Sequence, residues 1–159
     1  ILKEEFDLLI VMGGGILSPK IFNKAKIASI VLHNTFLPKL RGWGGGEIWS
    51  LINNDISSLG YSIIHAHENF DQGDIIVQKN LTIKKNDDLN SLIKRNLDLG
   101  INLFISTVEK FEKNNVEVKK QDHNKATYIY RSPTKEEFTK GLENLEIWKK
   151  NYENPLSQK

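Results

Sequence analysis

Residues 28–42, Ala28-Ser29-Ile30-Val31-Leu32-His33-Asn34-Thr35-Phe36-Leu37-Pro38-Lys39-Leu40-Arg41-Gly42, decide how this chain is read. Ala28 to Leu32 form a short, continuous, mostly apolar run, the pattern of a buried strand. His33 then stands at the carboxyl end of that strand, where open α/β sheets gather their chemistry. Pro38 and Arg41-Gly42 stiffen and turn the loop that follows, which places a fixed wall beside the strand end. A histidine in that position can be a catalyst or a structural hydrogen-bonding residue, and the run alone does not choose between them.

Upstream, Phe6 to Met12 is a second apolar run, closed by Gly13-Gly14-Gly15. It fits a parallel strand covered on both faces. Ser18-Pro19 marks a helix start, with proline favoured at the first helical position, and a short helix over 20–26 leads into the strand at 28–33. The triple glycine lacks the spacing of a dinucleotide fingerprint and the Gly-Lys-Ser/Thr ending of a P-loop. It suits either close approach of a flat ligand to the backbone or a plain strand-to-helix turn.

Downstream, a glycine-rich turn precedes a helical stretch around Glu47 to Ile52. Gly60 to His67 and Asp74 to Gln78 read as two more strands, separated by the tight segment 69–73. Asp87-Asp88 opens a long amphipathic helix. Leu89, Leu92, Ile93, Leu97, Ile101, Phe104, Ile105, Val108 and Phe111 keep helical spacing on one face, with Gly100 as a mild fault. After Lys125 come a short β-like piece, Thr127 to Tyr130, and a final helix over 142–152. Strands alternating with helices make the chain α/β, with a sheet that starts parallel and can turn antiparallel at its later strands.

The 159 residues suit one domain with a sizeable core. Apolar residues make up 39% and charged residues 26%, as in a globular protein, and a net charge of +2 is too small to argue for a nucleic-acid surface. Lysines crowd the last third, but glutamates are interleaved with them, as on a solvated helix face. Cysteine is absent, which excludes disulfide and thiolate chemistry and makes a cytoplasmic location the default expectation. No run is long enough to span a bilayer, and no membrane partner is expected. The first residue is Ile1 and a strand follows almost at once, so a natural N-terminal part is expected to precede it.

Two further clusters carry chemistry. Phe70-Asp71-Gln72-Gly73-Asp74 is a common turn, yet Asp71 beside His33 would fix the imidazole tautomer and favour its charged form. His65 and His67 alternate on a strand and could hold a metal, with Glu68 and His123 also in the chain. A third ligand at a sensible distance is not evident, and no metal is expected.

Taken together, these segments resemble the catalytic domain of the formyltransferase family that uses 10-formyltetrahydrofolate. The family includes methionyl-tRNA formyltransferase, glycinamide ribonucleotide transformylase and sugar-nucleotide N-formyltransferases. Its signature, Asn-x-His, a small residue, Ser or Thr, two apolar residues, Pro and then Arg-Gly, is matched from His33 to Gly42, with Asn34 at the small position. A second signature, a Gly-led strand followed by Asp-x-Gly-x-Ile-Ile, is matched by Gly60 to Ile76. The likeness covers roughly residues 6–83 strongly and 126–137 weakly.

That resemblance implies a Rossmann-like open, mostly parallel sheet with flanking helices. Residues 1–122 would form the C-terminal portion of the catalytic domain, and 123–159 an extension with a short strand and helix. It implies His33 and Asp71 as catalytic residues and a folate donor held by Gly15, Ile16, Leu17, Ser18, Leu37, Pro38 and Phe70. Asn34, Thr35, Arg41 and Gly42 would lie towards the acceptor.

The implied reaction is attack of an acceptor amine on the formyl group, with no metal and no covalent enzyme intermediate. His33 would serve the developing oxyanion, and Asp71 would orient His33 and accept a proton. The acceptor would be an amino-sugar nucleotide or methionyl-tRNA, with a small molecule favoured over tRNA and a glycinamide ribonucleotide-like substrate as an alternative. One departure stands out: the family's asparagine two residues before the histidine is Val31 here. On a continuing strand Asn34 would face away from His33 and could not replace it. A folate-binding protein that has lost activity is therefore the competing reading. Oligomeric state is not legible.

Overall fold

The strand read from residues 28–33 is longer than its apolar run, because Ala25 to Ile27 continue it at the open end. The computed structural model describes residues 5–42, 45–129 and 131–152. Strand β1 is Phe6–Met12, helix α1 Pro19–Phe22, strand β2 Ala25–His33 and strand β3 Leu40–Gly42. Helix α2 is Gly46–Ile52, followed by strands β4, Gly60–His65, and β5, Ile75–Asn80. Helix α3, Leu89–Glu112, strand β6, Thr127–Ile129, and helix α4, Lys135–Tyr152, complete the order. Of the β-like piece expected over 127–130, Tyr130 lies outside the described residues, as does the end of the extension at 153–159.

The main sheet has the order β1-β2-β4-β5. β1 and β2 run parallel, with Val11 beside Val31 and Met12 beside Leu32. β4 turns antiparallel to β2, placing Ser62 opposite His33, and β5 runs antiparallel to β4. The parallel start and the antiparallel later strands follow the sequence reading. Within the described residues β1 is an edge strand, and it is not covered on both faces: Ile10 is 45% and Met12 57% exposed.

α3 begins where the paired aspartates place it. Asp88 accepts from the Ser91 N–H while the Ser91 hydroxyl accepts from the Asp88 N–H, a reciprocal cap worth about 1 kcal/mol. Its buried face shares only part of the expected stripe: Leu92 is buried, and Leu89, Phe104 and Phe111 pack against the cores. Ile93, Leu97, Ile101 and Ile105 are exposed, and the line that packs inward carries Leu92, Asn96, Gly100 and Thr107. Gly100 has a physical reason: a Cβ there would lie 2.4 Å from Cζ of Tyr61 on β4. The glycine lets the helix backbone rest on that ring.

α4 starts at Lys135, seven residues before the expected 142. Thr134 and Glu137 form the start signal, since Thr134 Oγ1 accepts from the Glu137 N–H and Glu137 Oε2 accepts from the Thr134 N–H. α4 lies along α2, with Gly141 against Ile48 and Ile52 and with Leu145 buried. β6 pairs parallel with β3, register Arg41 to Tyr128. The residues after 122 therefore brace the turn that follows His33. One core fills the space between α2, α4 and Leu92, and a second lies between β2, β4 and α3. Among the described residues no helix is long and apolar enough to cross a membrane.

Candidate active site

β2 stops at His33, and that ending shapes the site. Residues 34 and 35 bend away, so strand alternation does not extend to Asn34. Asn34 was expected to face the opposite side, yet both His33 and Asn34 line one cavity of about 560 Å³. Ser62, buried on β4, pins the departing loop by donating to the Thr35 carbonyl at 2.7 Å and accepting from the Leu37 N–H at 3.0 Å.

The turn between β4 and β5 brings Asp71 to His33. His33 Nδ1 lies 3.5 Å from Asp71 Oδ1, and both side chains are 9% exposed. His33 Nε2 lies 3.3 Å from the Leu40 carbonyl. Each ring nitrogen thus faces an acceptor, and only the imidazolium donates to both at once. Asp71 Oδ2 accepts from the Gly42 N–H at 2.8 Å, which fixes the carboxylate plane. Gly42 is required there: φ is +116°, and a Cβ would meet the Ile129 carbonyl oxygen at 1.9 Å. Asp71 itself holds φ of 53°, in the left-handed region.

A buried network behind the pair holds this turn. Gln121 donates through Nε2 to the carbonyls of Asp71, at 2.8 Å, and Gly73, at 2.6 Å. Its Oε1 accepts from Arg41 Nη2 at 2.8 Å. Arg41, 1% exposed, also bonds the Tyr128 hydroxyl at 2.5 Å and His123 Nδ1 at 2.8 Å. Arg41 was expected towards the acceptor, but its guanidinium is committed inside the protein. Thr35, 2% exposed, is likewise turned inward and donates to the Leu40 carbonyl.

The cavity wall is mostly apolar. Val11 to Leu17, Phe22, Val31, Leu32, Tyr61, Ile64, Phe70, Ile93 and Leu97 supply most of it, and His33, Asn34, Glu47, His67, Asn69 and Asp71 supply the polar points. Of the residues expected to hold a folate, Gly15, Ile16, Leu17 and Phe70 are on this wall. Ser18 instead caps α1, accepting from the Lys20 N–H. Leu37 is fully buried in a small core with Ile64 and Ile75, and Pro38, after a cis peptide bond, does not line the cavity. The volume and the glycine-rich, apolar lining fit a flat heteroaromatic ligand bound through backbone groups.

His65 and His67 take different partners. β4 ends at His65, which packs edge-on against Phe111, and burial lowers its pKa. His67 Nδ1 accepts from the Asn69 N–H at 3.0 Å. Among the described residues no group of three or more metal-ligating side chains comes together.

Sequence reasoning passed over Glu47, Asn96, Gln121 and Ser62. Glu47 had one visible signal, as a lone carboxylate in the otherwise uncharged helix Gly46 to Ile52. The other three lacked any signal, because amides and hydroxyls carry no periodicity of their own.

Residues 1–108 match the formyl transferase family. The chain belongs to that family. The methionyl-tRNA formyltransferase of Ligilactobacillus salivarius (strain UCC118) is 34% identical over 146 residues, spanning 90% of this chain and 45% of that protein. The methionyl-tRNA formyltransferase of Fusobacterium nucleatum is 34% identical over 124 residues, 77% of this chain and 39% of its own length. This formyl transferase chain thus spans less than half the length of those relatives.

Among solved structures, the formyltransferase PseJ from Anoxybacillus kamchatkensis superposes with a TM-score of 0.69 at 26% identity, covering 78% of this chain and 64% of its own. That structure holds UDP-4,6-dideoxy-4-formamido-L-AltNAc and tetrahydrofolate. HypX from Aquifex aeolicus, solved with tetrahydrofolic acid, shares the fold at 15% identity and a TM-score of 0.68, covering 90% of this chain and 25% of its own.

Proposed function

We propose that this chain carries a formyl transfer site, moving a formyl group from 10-formyltetrahydrofolate to a primary amine. The observation that carries the reading is the His33–Asp71 pair, 3.5 Å apart and nearly buried, on the wall of a cavity suited to a pterin. When bound, the folate supplies an activated formyl group and a leaving nitrogen. His33, held by Asp71 through Nδ1, has Nε2 to offer the oxygen that gains negative charge, in place of its 3.3 Å contact with the Leu40 carbonyl. Asp71, fixed by Gly42 and Gln121, keeps that ring oriented and gives a proton somewhere to go. Gly15 to Leu17 and Phe70 hold the donor and exclude water, and this positioning is itself a large share of the rate gain.

Membership of the formyl transferase family and the folate bound in PseJ support this donor. For the acceptor, an amino-sugar nucleotide is favoured over tRNA. PseJ, whose complex holds a formamido-sugar nucleotide, resembles this chain over most of its length, and the net charge of +2 offers little to a polyanion. A cytoplasmic location fits a folate-dependent step.

Val31 favours a second reading. It lies on the cavity wall in strand β2 and offers no side-chain hydrogen bond. Loss of one oxyanion donor costs roughly 10²–10³ in turnover, which would leave a slow enzyme or a folate-binding protein. Formyl release from 10-formyltetrahydrofolate, measured against a panel of amines that includes aminated sugar nucleotides, separates them. Turnover with one acceptor that His33→Ala abolishes and Val31→Asn raises supports a weakened transferase. Folate binding with no turnover, and a gain only in Val31→Asn, supports the binding protein.

A further inference from the structure

Among the described residues, Glu47 is the one acidic side chain on the cavity wall besides Asp71. It is 4% exposed. Its Oε1 accepts from Asn96 Nδ2 at 2.7 Å and its Oε2 from Asn34 Nδ2 at 3.1 Å. Asn96 is itself fully buried on α3 and also donates to the Asn34 carbonyl at 3.1 Å. The two amides, together with Glu47's own backbone N–H, aim the carboxylate and leave it acceptor capacity for one further donor. Among the described residues no lysine or arginine pairs with Glu47.

A buried carboxylate held by neutral donors alone is under-compensated, because amides offset only part of what water gave. A cation arriving through the cavity would complete it. The charged or titratable groups that face it are His33 at the end of β2, whose charge gives a small stabilising pull, and Tyr61 on β4. Burial is the dominant influence and raises the Glu47 pKa, which makes the carboxylate a better proton acceptor than an exposed one.

We propose that Glu47 is a substrate-binding and catalytic carboxylate, which receives the acceptor as an alkylammonium ion and takes its first proton. This rests on the formyl-transfer reading above and adds the ionic form in which the acceptor enters. One N–H bond of the ammonium breaks and an O–H bond forms on Glu47. The nitrogen keeps the electron pair and uses it to bond the formyl carbon. In all, the acceptor nitrogen loses two protons: the departing donor nitrogen takes one up, and the other leaves to solvent. Asn34 and Asn96 are positioning residues, acting by aiming Glu47.

The test uses the full chain labelled with ¹³C at glutamate Cδ, with the Glu47 resonance assigned by its loss in Glu47→Gln. Methylammonium chloride is titrated in at neutral pH, with tetramethylammonium chloride, a cation that has no N–H, as the comparison. The proposal expects a saturable shift of the Glu47 resonance with methylammonium and none with tetramethylammonium. No shift, or the same shift with both salts, overturns it, and the titration itself is read in the unsubstituted chain.

A second arm compares acceptors. Glu47→Gln should lower kcat for a primary alkylamine at least 30-fold, yet lower it less than threefold for hydroxylamine, whose nitrogen is already unprotonated at neutral pH. Equal losses for both would mean a merely structural carboxylate and would overturn the catalytic role. A saturable methylammonium shift in a chain that transfers no formyl group to any amine would sink the formyl-transfer reading and keep the ammonium site.

Discussion

Asp71 spends its two carboxylate oxygens on two different tasks: Oδ1 faces His33 Nδ1 at 3.5 Å, and Oδ2 accepts the Gly42 N–H at 2.8 Å. The charge partner of the histidine is thereby tied to the backbone of the turn that follows the histidine. Asp71→Asn can keep the Gly42 bond through its amide oxygen but loses the charge. Turnover should fall about 10²–10⁴-fold, the range for a lost acid–base partner. The thermal midpoint should move little. Rapid-quench kinetics and calorimetry on the same preparation check both halves.

Gln121 acts at one remove, bonding the carbonyls of Asp71 and Gly73 and accepting from Arg41. Gln121→Ala leaves two carbonyls and a buried guanidinium short of partners. Stability should drop by about 1–3 kcal/mol. Gln121→Glu retains the acceptor for Arg41 and loses the donor to Asp71, so it should keep more of the stability than of the turnover. Urea melts alongside kcat measure the split.

Gly100 rests on the Tyr61 ring, with 2.4 Å between an added Cβ and Tyr61 Cζ. Gly100→Ala improves intrinsic helix propensity by roughly 1 kcal/mol but overpacks a filled contact. A net loss of about 1–3 kcal/mol is expected. Tyr61→Leu in the same chain should recover part of it. Additive losses in the double mutant, read from denaturant midpoints, would count against direct contact as the cause.

Glu137 at the start of α4 should titrate far from its ordinary value. The Arg131 guanidinium, bonded to both carboxylate oxygens, and the Thr134 N–H hold its pKa at about 2, against 4.5 for the free group. The folded pKa is depressed, so the stabilisation is complete above about 4.5 and is lost as pH falls towards 2. Carboxyl ¹³C NMR reads the midpoint directly. Arg131→Ala should return most of it to the ordinary range, and the same pH scan should show α4 fraying earlier.

Much of this was legible beforehand, and the misses have physical reasons. The run Ala28 to Leu32 identified β2, and Asp87-Asp88 identified the cap of α3, because apolar runs and capping side chains are local signals. His33 and Asp71 stood out because strand ends and tight turns place side chains at a sheet's working edge. Asn34 was misplaced because alternation holds only while the strand lasts, and β2 ends at His33. The stripe on α3 holds for Leu89, Leu92, Phe104 and Phe111 and fails for Ile93, Leu97, Ile101 and Ile105, because Asn96, Gly100 and Thr107 share the inner line. Apolar periodicity reports a face, but not whether an amide network or a ring will claim the neighbouring one. The early start of α4 was readable in Thr134 and Glu137, three residues apart, a capping pair that outweighs the charged residues after it.

Single-turnover kinetics decide whether the proposed His33–Asp71 pair performs formyl transfer. Single-turnover formyl transfer from 10-formyltetrahydrofolate to an aminated sugar nucleotide would be followed in the full chain and in its His33→Ala variant. Folate binding to both would be measured beside it. Transfer is expected in the first, with a loss of at least about 10²-fold in the second and folate affinities within a few-fold of each other. Equal transfer rates in the two chains would contradict that role for the pair.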